Sequence, residues 1–298
     1  MKKLLIHLDS SPTASVFDRI VAYDGGADDV LSYAGVDPGA VRDLVHGAIF
    51  TRGPKDLHNT AIFIGGSDMA AGEQLLAAVQ KTFFGPLKVS VMLDSNGSNT
   101  TAVAAVAKLV QTLGDVRGRR AVITAGTGPV GTRAAGLLAR AGAKVTITSR
   151  HAEESERVVA HIRQRFGGAV DSAVVTDASH IASTLGSADL LLNAGPAGVQ
   201  LVPRATWSSI RTLRAVADLN AVPPLGVEGV DVMDAGADRD GVKTFGALGV
   251  GNFKMKVHKR CIAKLFERND QILDAETIGD VAREVMQAAP SPSVPPPA

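Results

Sequence analysis

Apolar residues fall along the chain in short blocks, separated by longer stretches in which they recur at helical spacing. Leu4 to Leu8 reads as a strand. Thr60 to Ile64 is a second, closed by Gly65 and Gly66, and Met69 to Phe83 follows with a helical apolar stripe. Val89 to Leu93 is a third strand. It runs into the polar segment Asp94-Ser-Asn-Gly-Ser-Asn99 and then into an Ala- and Val-rich helix from about Thr100 to Leu113. Such βαβα alternation predicts a parallel sheet. Gly114 to Arg120 is short, polar and basic, a candidate linker. Beyond it the alternation restarts, with strands at Ala121–Ala125, Val145–Thr148, Asp189–Leu192 and Ala215–Leu219. Phe253 to Phe266 reads as a helix with Phe253, Val257, Cys261 and Leu265 on one stripe, and Ala275 to Ala288 as an amphipathic helix that returns to the first domain.

The pattern therefore predicts two α/β domains. The first covers 1–113 and is completed by the helix at 270–288; the second covers 114–269; the Pro-rich end, 289–298, is expected to be a disordered tail.

The most informative local motif is Gly126-Thr127-Gly128-Pro129-Val130-Gly131. A lone GxGxxG is weak evidence, but here a strand leads in and a helix leads out, as a Rossmann phosphate loop requires. The first glycine permits the turn, the second lets the backbone approach a pyrophosphate, and the third lets helix and sheet pack closely. The next strand ends Thr148-Ser149-Arg150. An acid that would bond the ribose 2′-hydroxyl of NAD is missing there, whereas Ser149 can donate a hydrogen bond and Arg150 can pair with a 2′-phosphate. This reading favours NADP, with NAD as a weaker cofactor; a solvated Arg150 is the alternative. Ala194 and Gly195, in Asn193-Ala-Gly-Pro196, follow a later strand where the nicotinamide ribose lies in such folds, although the tetrapeptide is equally a plain turn.

Composition narrows the class. The 298 residues carry a net charge of +1, which gives no reason to expect nucleic acid or a membrane surface as partner. The single cysteine, Cys261, excludes an internal disulfide framework and reads as core. His7 and Asp9 interrupt the first apolar run, so the start of the chain reads as a strand of a cytoplasmic protein rather than a signal peptide. His7 is expected to be a satisfied structural histidine, Asp28-Asp29 a solvated pair, and no metal site is expected.

Several longer segments resemble one family. They are Ser15-Val-Phe-Asp18, Val21 to Asp28, Thr60 to Gly66, Met92 to Thr101, Ala125 to Gly131, Asp218-Leu-Asn-Ala-Val-Pro-Pro224 and Phe245-Gly-Ala-Leu-Gly-Val-Gly251. Together they are similar to the NADP-dependent methylene-tetrahydromethanopterin dehydrogenases of methylotrophic bacteria, over residues 1 to about 288. The resemblance implies a Rossmann cofactor domain beside a smaller α/β domain, with a pterin one-carbon carrier bound in the cleft between them. It also implies a homo-oligomer, no metal or flavin, a role in formaldehyde oxidation, and side activity with the tetrahydrofolate carrier in some members. It places Asn220 at the cofactor.

The chemistry needs little from side chains. Loss of hydride from a carbon between two nitrogens gives an amidinium-like cation, so no base has to remove a proton. Catalysis rests on positioning and electrostatics. Lys254 and His258 lie four apart and share a helix face. With the resemblance, they are the candidate catalytic residues, Lys254 bonding the pterin and His258 orienting it. Phe17 and Asp18 are expected on a loop after the first strand, with Phe17 stacking on the pterin. Asn96, Ser98 and Asn99 lie after a parallel strand, where α/β ligands bind, and one of Ser98 or Asn99 is expected to cap the next helix. A methylene-tetrahydrofolate dehydrogenase, with or without cyclohydrolase activity, and a non-catalytic NADP-binding sensor are the competing readings.

Overall fold

The computed structural model describes residues 1–288; the expected tail at 289–298 lies outside the described residues. The chain forms two compact units, 1–95 with 256 onward, and 96–255.

The first unit runs β1 (Leu4–Asp9), α1 (Val16–Asp24), β2 (Asp29–Tyr33), α2 (Val41–Phe50), β3 (Thr60–Gly65), α3 (Met69–Thr82) and β4 (Ser90–Leu93). The second runs α4 (Ser98–Leu113), β5 (Arg120–Thr124), α5 (Pro129–Arg140), β6 (Lys144–Ser149), α6 (Ala152–Phe166), β7 (Ala169–Val174), α7 (Ala178–Leu185), β8 (Leu190–Asn193), α8 (Arg204–Ser208), β9 (Ala215–Asp218), β10 (Ala235–Arg239) and β11 (Val242–Phe245). Helix α9 (Ala247–Leu265) begins in the second unit, and β12 (Ile272–Leu273) and α10 (Ala275–Ala288) complete the first.

The first sheet is parallel throughout, in the order β12-β4-β3-β1-β2. Its strands β3 and β4 are buried at every position, which is why they read as unbroken apolar runs rather than as alternating ones. One face carries Leu8, Ile64, Val91 and Leu93 against Val45, Ile49, Leu75 and Val79 of α2 and α3. The connection from β2 to β3 passes over β1, so the ligand crevice of this topology lies outside the carboxyl ends of β1 and β3.

The second sheet has the order β10-β11-β9-β8-β5-β6-β7, parallel except for β10. Stripped of β10 it is the Rossmann order, with the crossover between β5 and β8. A core of Val122, Leu191, Val216, Val227 and Trp207 fills one side, and Trp207 Nε1 donates to the Glu228 carbonyl at 2.8 Å.

Three expectations differ from what forms. The chain divides at 95/96 and 255/256 rather than after 113 and 269. Helix α4 goes with the second unit because Arg133 of α5 donates to Asn99 of α4, both buried. The later half of α9 goes with the first, where Gly25 sits so close to Ile262 that a Cβ would fall 2.5 Å from it. Second, Phe17 and Asp18 are on helix α1 and not on a loop: Ser15 caps it, its hydroxyl accepting from the Asp18 amide at 3.1 Å. Third, Gly97 takes the N-cap position of α4 in a left-handed conformation (φ 59°), so neither Ser98 nor Asn99 caps that helix. Among the described residues no helix is long and apolar enough to cross a membrane.

Candidate active site

The loop between β5 and α5 holds the three glycines in three different environments. A Cβ on Gly126 would lie 2.6 Å from Ile147 Cβ, and one on Gly131 would lie 2.7 Å from the Gly126 Cα. Gly128 is different: its nearest neighbour to such a Cβ is the Ala125 carbonyl at 3.8 Å. The first and third glycines are thus fixed by packing within the protein, and the second leaves its backbone open to a ligand. Pro129 starts α5, where its missing N–H costs nothing. Thr132 Oγ1 reaches back toward the Gly126 and Thr127 carbonyls at 3.4 and 3.3 Å and ties the loop to the helix. The amides of Val130 and Gly131, in the first turn, have no acceptor within the helix, which makes this end a seat for phosphate.

Beside the loop lies a cavity of about 330 Å³ within the second unit. Thr127, Ser149 and Arg150 give it a polar rim, and Val175, Ile181 and Leu201 an apolar wall. That combination suits a flat base with its ribose. Ser149 is buried and its hydroxyl accepts from the His151 amide at 3.1 Å, while Arg150 is exposed at the rim. Sequence reasoning missed His151 and Glu154, which also line this cavity. The signal was available, because both lie within the first turn after the β6 end.

A buried polar chain crosses the carboxyl ends of β5, β8 and β9. Thr124 Oγ1 donates to Asn193 Oδ1 at 2.6 Å, and Asn193 Nδ2 donates to Asp218 Oδ1 at 2.7 Å. Asp218 also accepts the Asn220 and Val227 amides at 3.0 and 2.8 Å. Ala194 and Gly195 follow directly, with the Ala194 amide on the Thr124 carbonyl and the Gly195 amide on Asn193 Oδ1. Asn220 is buried and clamps loops: its Nδ2 donates to the Pro224 carbonyl at 3.2 Å, and its Oδ1 accepts the Val222 amide at 2.9 Å. Asn193 and Asp218, missed in the sequence, are the residues on which this arrangement turns. Their position at strand ends was the available signal.

Still within the second unit, Lys254 of α9 reaches the turn before α4. Its Nζ lies 2.5 Å from where a Cβ on Gly97 would be. Asn96 next to it is left-handed as well (φ 54°). Ser98 and Asn99 are fully buried; Asn99 Oδ1 accepts from Arg133 Nε at 2.6 Å, and the Ser98 hydroxyl has no hydrogen-bond partner.

In the first unit, His258 of α9 is buried. Its ring stacks on Phe63, with centroids 5.6 Å apart at 24°, and its Nδ1 is 3.9 Å from Asp94 Oδ2. Phe17 is half exposed, with its ring 6.5 Å from that of His258. Asp18 faces the carboxyl ends of β1 and β3, together with His7 and Asp9. Cys261 is buried as expected, and burial pushes its thiol well above the usual range.

A Rossmann sheet with a ligand-ready glycine loop, preceded by a smaller parallel-sheet unit, places the chain in the architectural class of two-domain dinucleotide-dependent dehydrogenases. A 5-ketofructose reductase of Gluconobacter sp. strain CHM43 shares this fold, at a TM-score of 0.51 and 18% identity over 96% of this chain and 99% of that one. Residues 16–96 match the family model described as methylene-tetrahydromethanopterin dehydrogenase, N-terminal. Two proteins of Methylorubrum extorquens AM1 are similar along nearly their whole length. "Bifunctional protein MdtA" is 47% identical over 95% of this chain and 99% of its own. An "NAD(P)-dependent methylenetetrahydromethanopterin dehydrogenase" is 35% identical over 87% of this chain and 90% of its own. The chain belongs to the methylene-tetrahydromethanopterin dehydrogenase family.

Proposed function

We propose that this protein oxidises methylene-tetrahydromethanopterin to the methenyl form with NADP as hydride acceptor. The observation that carries the cofactor half is the open Gly128 between two packed glycines, beside a cavity rimmed by Ser149 and Arg150. Family membership carries the substrate half.

In this reading the Gly126–Gly131 loop and the start of α5 hold the pyrophosphate. Arg150 pairs with the 2′-phosphate, and Ser149 fixes the turn that aims it. Ala194 and Gly195 let the backbone lie close to the nicotinamide ribose, and Asn220 keeps their neighbouring loops in place. Bound NADP supplies the hydride-accepting ring. Lys254 bonds polar groups of the pterin, with Asn96 beside it. Phe17 offers an aromatic face, Asp18 a carboxylate, and His258, held between Phe63 and Asp94, positions the pterin side. Ser98 and Asn99, buried directly after that turn, fix where it leads into α4. Since the substrate carbon loses hydride and no proton, these groups bind and orient; none has to act as a base.

The wider setting is part of the same proposal. A methylene carbon bridging two nitrogens is at the oxidation level of formaldehyde, which supports a role in formaldehyde oxidation. A lone, buried Cys261 suits the reducing cytoplasm. Exposed Leu31 and Tyr33 on the edge strand β2 support assembly into a homo-oligomer.

The test is steady-state NADPH formation with methylene-tetrahydromethanopterin and methylene-tetrahydrofolate, each against NADP and NAD. Fastest turnover with the methanopterin carrier and NADP is expected. Faster turnover with the folate carrier would transfer the assignment to that carrier. No turnover by folded, NADP-binding protein would refute the enzymatic reading.

A further inference from the structure

His7, Asp9 and Asp18 come together at the carboxyl ends of β1 and β3, and their donor atoms all lie within 4.8 Å of one another. His7 Nε2 is buried and has no hydrogen-bond partner. It faces Asp9 Oδ2 at 3.5 Å, beyond hydrogen-bond length. The other ring nitrogen, Nδ1, is 3.4 Å from Ser32 Oγ, a hydroxyl that can accept from it or donate to it. In the Nδ1-protonated tautomer the Nε2 lone pair is aimed at a carboxylate inside the protein, an arrangement that a cation between them would relieve.

The His7–Asp9 separation is that of two ligands on one ion. Donors at about 2.0–2.1 Å from a tetrahedral metal stand roughly 3.3–3.4 Å apart, close to the His7–Asp9 separation. Gly65 of β3 borders the group and leaves room that a side chain would take. A Cβ at that position would lie 2.6 Å from His7 Nε2 and 3.1 Å from Asp18 Oδ2. Asp9 is already oriented, accepting the Ser11 amide at 2.8 Å and the Ser15 amide at 2.9 Å, as outer-shell bonds orient metal-binding carboxylates.

We propose that His7 Nε2, Asp9 and Asp18 form a binding site for a divalent transition-metal ion of the zinc type, at which Asp18, placed above on the pterin side, is one of the ligands. One nitrogen with two carboxylates is a donor set for zinc, and for cobalt in its place. The ion ties the start of α1 to β1 at the ligand end of the first unit. Sequence reasoning did not find the site, because only the folded connection from β1 to α1 returns Asp18 to the end of β1.

The experiment is calorimetric titration of the full-length, tag-free, metal-stripped protein with Zn²⁺, and with Co²⁺ read by its visible absorption. One ion per chain is expected. His7→Gln and Gly65→Ala should each weaken binding by about tenfold or more. Asp18→Asn, at a partly exposed helix position, should do the same, and it serves if the core variants fail to fold. The absence of saturable Zn²⁺ binding by the wild type would overturn the proposal. So would unchanged affinity in folded Asp18→Asn or His7→Gln protein.

Discussion

The ammonium of Lys254 lies over Gly97, at a point where even one methyl group would crowd it: a Cβ there would be 2.5 Å from Nζ. Gly97 is also left-handed, at φ 59°, where an L side chain costs about 1–2 kcal/mol. Gly97→Ala should therefore lower the melting temperature by a few degrees and displace Lys254. Its effect on kcat/KM for the pterin should match that of Lys254→Ala, and the double variant should be no worse than the poorer single. Additive losses in the double-mutant cycle would separate the two residues.

The glycine loop allows a sharper contrast. Gly131→Ala forces a methyl group against the backbone of Gly126 and should cost about 1–3 kcal/mol of stability as well as NADP affinity. Gly128→Ala meets nothing closer than 3.8 Å and should fold normally, yet it should lose NADP binding by tenfold or more, roughly 1.4 kcal/mol. Denaturant melts with NADP titrations check both. Equal stability loss in the two variants would remove the open cradle from the account.

Arg150 is exposed at the rim of the cavity beside the glycine loop, where in the proposed reading the 2′-phosphate of NADP pairs with it. A hydrogen bond to a charged group is worth about 1.5–3 kcal/mol, or roughly 10–150-fold. Arg150→Gln should raise KM for NADP by a factor in that range and leave KM for NAD nearly unchanged. A parallel loss with both cofactors would contradict the 2′-phosphate role.

Asp234 fastens the β10–β11 hairpin. It accepts from Arg239 at 2.6 and 2.7 Å, from Thr244 Oγ1 at 2.7 Å and from the Asp231 amide at 3.0 Å. Burial raises its pKa, but the bonds from Arg239, the Asp231 amide and Thr244 together outweigh that and hold it below the ordinary 3.8. The native state thus resists protonation more than the unfolded chain does. The stabilisation is complete above that ordinary value and is lost as pH falls through the lower, folded one. Asp234→Asn should cost about 1.5–3 kcal/mol near neutrality and should flatten the acid limb of the stability profile. An unchanged acid limb in urea melts would exclude Asp234 as a contributor.

The parts of this fold that were legible in the sequence are those where local pattern and tertiary environment agree. Strands β3 and β4 are buried on both faces and read as apolar runs. The α9 stripe of Phe253, Val257, Cys261 and Leu265 is buried at every position. The glycine loop announces itself because each glycine answers a steric demand. Helix α1 was missed even though Ser15-Val-Phe-Asp18 has the spacing of a capping box; its exposed Val16, Phe17 and Ile20 blur the helical stripe. Edge strand β2 was missed for a related reason, since Leu31 and Tyr33 face outward and weaken the alternation. The Thr124–Asn193–Asp218 chain joins residues far apart in sequence, and strand order and register create it. His7, Asp9 and Asp18 are near in sequence, but only the course of the chain from β1 into α1 brings Asp18 back to the strand end.

Direct hydride transfer from the methylene carbon of the carrier to NADP is read in a single turnover with a carrier dideuterated at that carbon. One deuterium is expected on the nicotinamide ring of the NADPH formed, one retained on the methenyl product and none exchanged with water. Unlabelled NADPH, or label lost to solvent, would contradict it.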